Sequence, residues 1–168
     1  MESEKISERI TEIRGRMAAA AARCGRDPND IFLIAVGKTH DAGTIKEGVA
    51  AGLLHIGENK VQEAKEKIPA FRQDPRLPKV QWHFIGHLQT NKVRQAVEIF
   101  DMIHSVDSFR LASEVDRRSY TKDKIMPILI QVNTSHEKSK YGIDPDETVH
   151  AVKQIAELKN LKDRKSVV

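Results

Sequence analysis

Ile31-Phe32-Leu33-Ile34-Ala35-Val36-Gly37-Lys38 is the stretch that decides how this chain is read. Six apolar residues run without a break, then come a glycine and a lysine. A short run rich in isoleucine and valine reads as a parallel strand buried on both faces. In parallel α/β proteins the C-terminal end of a strand is where ligands bind, so a lysine there stands out. Lys38 has two readings. Desolvated among apolar neighbours, its amine would have a lowered pKa and could form a Schiff base. Otherwise it snorkels from the strand end into water. The strand pattern alone leaves both open.

Working outward, the same pattern recurs. Glu4 to Arg23 predicts a helix with Ile6, Ile10, Ile13, Met17 and Ala21 on one stripe, stopped by Gly25. After the first strand, Asp41 or Thr44 caps a short helix carrying Ile45 and Val49. Further strands are expected at Leu53–Gly57, Val80–Gly86, Met102–Val106 and Ile125–Asn133. Between them lie a helix from Glu58 that Pro69 ends, one near Thr90–Val97, and one capped by Asp107 or Ser108. A last helix opens at Asp144-Pro145-Asp146-Glu147 and buries Val149, Val152, Ile155 and Leu158. Strand starts fall roughly 25 residues apart, the length of a βα unit. Repeated units predict a parallel sheet with right-handed crossovers. Five of them make either an open flavodoxin-like sheet or most of a (β/α)8 barrel.

The 168 residues predict one domain, 1–168, large enough for a core without covalent staples. The single cysteine, Cys24, excludes an internal disulfide and fits a reducing cytoplasm. The charged N-terminus has no signal-peptide pattern, and the apolar runs are too short to span a bilayer. Net charge is +4, but acids and bases are interspersed and only 5% of residues are aromatic. A nucleic-acid partner is therefore disfavoured, while the mild basic excess suits small anions such as phosphates.

Several polar residues fall at or near strand ends. Gly57-Glu58-Asn59 is a strand-to-helix turn, and Asn59 is either a ligand contact or a helix cap. His83 and His87 have zinc-like spacing, but His83 lies in a strand and Gly86 breaks the run, which favours non-metal roles. His83 then lines a pocket, His87 sits in a loop, and His55 and His104 read as satisfied core or rim histidines. Ser105 near the end of the fourth strand either donates to a ligand oxygen or bonds to its own turn. Neither a P-loop, a G-x-G-x-x-G nor a G-x-S-x-G occurs.

Longer blocks are specific. Ala35-Val36-Gly37-Lys38-Thr39, Gly57-Glu58-Asn59-Lys60-Val61-Gln62-Glu63, Trp82-His83-Phe84-Ile85-Gly86-His87-Leu88-Gln89-Thr90-Asn91-Lys92, Ile103-His104-Ser105-Val106-Asp107-Ser108, and Gln131-Val132-Asn133 followed by Ser139-Lys140-Tyr141-Gly142 resemble, in order and spacing, the pyridoxal-phosphate homeostasis proteins. These are single-domain relatives of the alanine racemase N-terminal barrel and of bacterial-type decarboxylases. The resemblance reaches to about Leu161.

It implies a (β/α)8 TIM-type barrel with an extra N-terminal helix, of which about five βα units are present. It also implies pyridoxal 5′-phosphate (PLP) held as a Schiff base on Lys38, with Asn59, His83 and Ser105 near the cofactor. The implied role is PLP homeostasis in the cytoplasm without established turnover, with PLP-dependent apo-enzymes as partners. A complete member would be a monomer. A racemase- or decarboxylase-like enzyme is the alternative, and it is disfavoured because the racemases' second domain with its catalytic tyrosine has no counterpart here. The family continues with a sixth strand and with segments that hold the phosphate. Here Lys162-Asp163-Arg164-Lys165-Ser166-Val167-Val168 stands in that place and breaks the buried-strand pattern, which reads as a truncated member with exposed sheet edges prone to association.

Overall fold

A computed structural model describes residues 2–137 and 139–164, with side chains from Lys5 onward; Lys138 and residues 165–168, including the Ser166-Val167-Val168 ending, lie outside the described residues. The elements are α1 (Glu2–Arg23), β1 (Ile34–Val36), α2 (Ala42–Ala50), β2 (His55–Glu58), α3 (Val61–Arg72), β3 (Gln81–Phe84), α4 (Val93–Ile99), β4 (Met102–Val106), α5 (Phe109–Tyr120), β5 (Met126–Ile130), α6 (Pro145–Ala156) and β6 (Leu161–Asp163). All six strands form one sheet, each pairing in parallel with its successor. Strand order never reverses. A flavodoxin-like sheet has a switch point where it does, so the winding is that of a (β/α)8 barrel.

Right-handed crossovers in one direction place the helices on one side of the sheet. Ile56, Trp82, Phe84, Ile103, Met126, Ile128 and Ile130 lie under that layer at 2% exposure or less. Trp82 meets Phe71 of α3 edge-on at 5.2 Å, and Phe84 meets Phe100 after α4 at 5.1 Å. Register agrees: Ile56 pairs with Trp82, Phe84 with Ile103, and Ile103 with Ile128. Alternate residues, among them His55, His83 and His104, face the other side, because successive side chains in a strand point to opposite faces.

Local chemistry sets the helix ends. Of the two candidates for the cap of α2, Asp41 is the cap and accepts from Thr44 N at 2.7 Å, while Thr44 lies inside the helix. Ser108 caps α5 through Leu111 N. Asp144 caps α6, with Pro145 in its first turn. Gly25 takes φ +63 at the end of α1, where Arg26 N donates back to Ala21 O.

Four expectations are corrected. Only Ile34–Val36 of the first apolar run pair as strand, and none of the three is buried; Phe32 is 67% and Val36 44% exposed. β1 is a sheet edge among the described residues, and an edge lacks the cover on both sides that the run predicts. Conversely, a sixth strand forms where five are expected. Lys162 and Asp163 break the apolar pattern, but pairing is a backbone matter and charged side chains suit an edge. Met126 N donates to Asn160 O and Arg164 N to Ile128 O, while Asn160 itself is fixed by two donations to Asp116 of α5.

α3 runs through Pro69 to Arg72. Proline removes one donor near the helix end, and the extension buries Phe71 against Trp82, which offsets the lost bond. On α6, Ala151 and Ile155 are buried, whereas Val149 is 67% exposed. At about 100° per residue, Val149 lies about 200° around the helix from Ala151 and points away from the sheet.

Truncating the fully buried indole, Trp82→Ala, is expected to destabilise the chain by about 3–5 kcal/mol. A lowered urea midpoint at unchanged m-value would show it.

Candidate functional site

Parallel strands deliver their C-terminal ends to one rim, and the candidate residues arrive there from separate βα units. Lys38 follows β1 in a tight turn. His40 N donates to Gly37 O at 3.2 Å, which leaves Lys38 and Thr39 as the central pair. Thr39 takes φ +66, a conformation that favours glycine or asparagine and is unfavourable for a β-branched residue. Strain of this kind costs about 1–3 kcal/mol and gathers at functional sites. Lys38 itself is exposed. Of its two readings, the desolvated one is not found, because β1 is an edge and its end is uncovered. What supports Lys38 is its place on the rim and the strained turn that presents it.

Asn59 follows β2 directly, and Ser105 lies in β4. β4 carries an irregularity at that point: Ile103 pairs with Ile128 and Val106 with Ile130, so β4 spends one residue more than β5 between them. Ser105 is 3% exposed, and its Oγ has no hydrogen-bond partner; Asn59 Oδ1 is likewise buried and unpartnered. Each such group costs about 1–3 kcal/mol unless something pairs with it. Asn59 is therefore not the helix cap: α3 has Lys60 at its cap position, with no side-chain bond. A side chain at Gly86 would overlap the Asn59 carbonyl, so the β3 rim loop lies hard against Asn59.

His83 is joined to partners that sequence alone left separate. His83 Nε2 lies 3.0 Å from His55 Nδ1, and His83 Nδ1 lies 2.9 Å from His104 Nε2. Three adjacent strands thus carry an unbroken row of imidazoles across the sheet's inner face. Burial, then the neighbouring His104 and His55, push the His83 pKa down to about 4. Burial alone lowers those of His55 and His104. A neutral imidazole has one donor and one acceptor nitrogen. His83 must then donate to one neighbour and accept from the other, which gives the row a direction. The signal in the sequence was a histidine at an inner-face position of three successive strands, legible only once register is known.

His83 and His87 do not converge. His87 stacks on Tyr141 at 3.6 Å with an interplanar angle of 11°, and its Nδ1 lies 3.4 Å from Asp107 Oδ2. This contact ties together the rim loops after β3, β4 and β5.

Sequential parallel winding defines the class: a barrel-type (β/α) protein, with a lysine turn and buried polar atoms at its C-terminal rim. Comparison with known proteins makes this particular. Residues 10–165 match the alanine racemase N-terminal domain family. The pyridoxal phosphate homeostasis protein of Escherichia coli strain K12 is 40% identical over 159 residues, which cover 95% of this chain and 68% of that protein. Among solved structures, PipY of Synechococcus elongatus PCC7942 with PLP bound is 37% identical with a TM-score of 0.80, covering 96% of this chain and 68% of that one. A protein of unknown role from Bifidobacterium adolescentis is 30% identical with a TM-score of 0.87, covering 98% and 69%. The chain belongs to the alanine racemase N-terminal domain family and, within it, to the pyridoxal phosphate homeostasis proteins.

The histidine row sets a pH dependence. A histidine pKa held below its unfolded value means that the unfolded chain binds more protons between about pH 6.5 and 4, so stability falls as pH drops through that window. Urea midpoints across pH 4–7 should decline on the acid side, and His83→Gln should flatten the decline.

Proposed function

We propose that this chain binds PLP covalently through Lys38 and serves PLP homeostasis, holding the cofactor without turning over a substrate. The observation that carries the reading is the pair of buried, unpartnered atoms Asn59 Oδ1 and Ser105 Oγ on the rim that also carries Lys38. A polar ligand seated at the rim would pair with both. The PLP-bound relative PipY supports the identity of that ligand.

The donor set fits the group. Bound PLP supplies an aldehyde that an amine can engage and a ring that withdraws electrons. Lys38 Nζ would form C=N with the aldehyde carbon, and one water would leave. Asn59 offers amide donors and an acceptor, and Ser105 a hydroxyl that serves as either, toward the polar substituents of a pyridine ring. His83, kept neutral and oriented by His55 and His104, supplies an uncharged floor. Lys38 is reachable from solvent, as a site that takes up and releases its cargo requires. The proposal places the protein in the cytoplasm with PLP-dependent apo-enzymes as recipients.

Two measurements test it. With PLP added, the wild-type chain should develop a visible Schiff-base absorption band that Lys38→Ala lacks; an identical spectrum from both proteins rejects Lys38 as the attachment point. Asn59→Ala and Ser105→Ala should each weaken PLP binding about 2- to 10-fold, the worth of one hydrogen bond.

A further inference from the structure

The residue before Lys38 is held by a buried ion pair on the opposite side of the sheet. Glu58 ends β2, faces the helix layer and is fully buried, at 0% exposure. Lys67 reaches in from α3, its side chain 15% exposed, and donates to Glu58 Oε1 at 2.9 Å and to Gly37 O at 2.9 Å. Gly37 is pinned from two further directions. Its N–H donates to Gly57 O at 2.8 Å, and its carbonyl also accepts from His40 N at 3.2 Å. Its Cα lies so close to the carboxylate that an added Cβ would sit 2.7 Å from Glu58 Oε1.

Stability does not explain this pair. Desolvating two charges cancels most of their attraction, and a buried pair replaced by apolar groups of similar size is often no less stable. Glu58 Oε2 is moreover left without a partner. What the pair does achieve is geometric. The Gly37 carbonyl closes the turn whose central residues are Lys38 and Thr39, and Thr39 is held at φ +66. A turn with a β-branched residue in that conformation relaxes unless its anchors are held. Lys67 holds one anchor, and Glu58 holds Lys67.

We propose that Glu58 and Lys67 are positioning residues that lock the Gly37–His40 turn and so fix where the Lys38 amine is presented. The inference rests on Lys38 being the PLP attachment site. Neither residue touches the cofactor: both lie on the helix side of the sheet, and Lys38 lies at the rim. Gly37 links them, through its carbonyl to Lys67 and through the close approach of its Cα to Glu58.

The test uses the full chain as wild type, Lys67→Arg, Lys67→Met, the double variant Glu58→Gln/Lys67→Met, and Lys38→Ala. The double variant removes both charges together, so no unpaired buried ion is left to unfold the protein. Amide hydrogen exchange on the PLP-free protein reads the turn directly. In the double variant the His40 amide should exchange at least about tenfold faster, while amides in β3 to β5 keep their protection. PLP titration should show about a tenfold loss of affinity in the same variant, with Lys67→Arg recovering part of it.

Wild-type exchange at His40 in a folded double variant overturns the clamp. Faster exchange with unchanged PLP affinity overturns its positioning role. A Lys67→Met chain that fails to fold leaves the decision to the double variant, and if that also unfolds, stability rather than positioning accounts for the pair and the proposal falls. Lys38→Ala separates the two claims. If it keeps the wild-type PLP spectrum, the attachment reading fails, whatever the exchange data say of the turn. If it loses the band while the double variant binds PLP normally, the positioning role alone fails.

Discussion

Parallel pairing of every strand with its successor is the constraint from which the rest of the molecule follows. Because the winding never reverses, the crossovers stack their helices on one side, and one set of alternate residues becomes the core. Trp82, Phe84, Ile103, Met126, Ile128 and Ile130 occupy that side with almost no exposure. The other set is free to be polar. The same pairing sends every strand's C-terminal end to one rim, so Lys38 and Asn59, just past β1 and β2, and Ser105, near the end of β4, are delivered to the same end of the sheet although each belongs to a different βα unit.

The polar content of the sheet is costly and concentrated. A row of three imidazoles, a buried Glu58–Lys67 pair, and unpartnered oxygens on Asn59 and Ser105 all lie within β1 to β4 or on the elements that join them. Each opposes folding by desolvation or lost hydrogen bonding. The apolar packing under α3 to α5 supplies the stability that tolerates them. Local rules broken together in one region mark a site where chemistry outweighs stability. The two sides of the sheet are coupled through backbone atoms: the clamp from α3 acts on the Gly37 carbonyl, and its effect emerges one residue later at Lys38.

Much of this was legible in the sequence. β4 occupies Met102–Val106 as periodicity predicts, and the Asp144-Pro145 start of α6 follows from side-chain chemistry that operates within one turn. Local rules failed where a neighbour decided. The run from Ile31 is as apolar as a central strand, but its place at an edge leaves Phe32 and Val36 exposed. Lys162 and Asp163 lack the apolar pattern of a buried strand, yet backbone pairing with β5 makes them part of an exposed one. Pro69 stops a helix in isolation but not one that gains Phe71 as a core residue. The candidate site divides the same way. Strand ends and motif blocks single out Lys38, Asn59 and Ser105, which lie at or near the ends of β1, β2 and β4. The histidine row and the Glu58–Lys67 clamp could not be found this way, because they join residues on different units whose alignment is a property of register.

Attachment of the ligand at Lys38 is the proposal on which the functional reading rests. The most direct measurement is to load the 168-residue chain with PLP, reduce the product with borohydride, and locate the added mass by peptide mapping. A stoichiometric adduct on the peptide carrying Lys38 is the predicted result. An adduct spread over other lysines, or found on one of them with Lys38 unmodified, would contradict it.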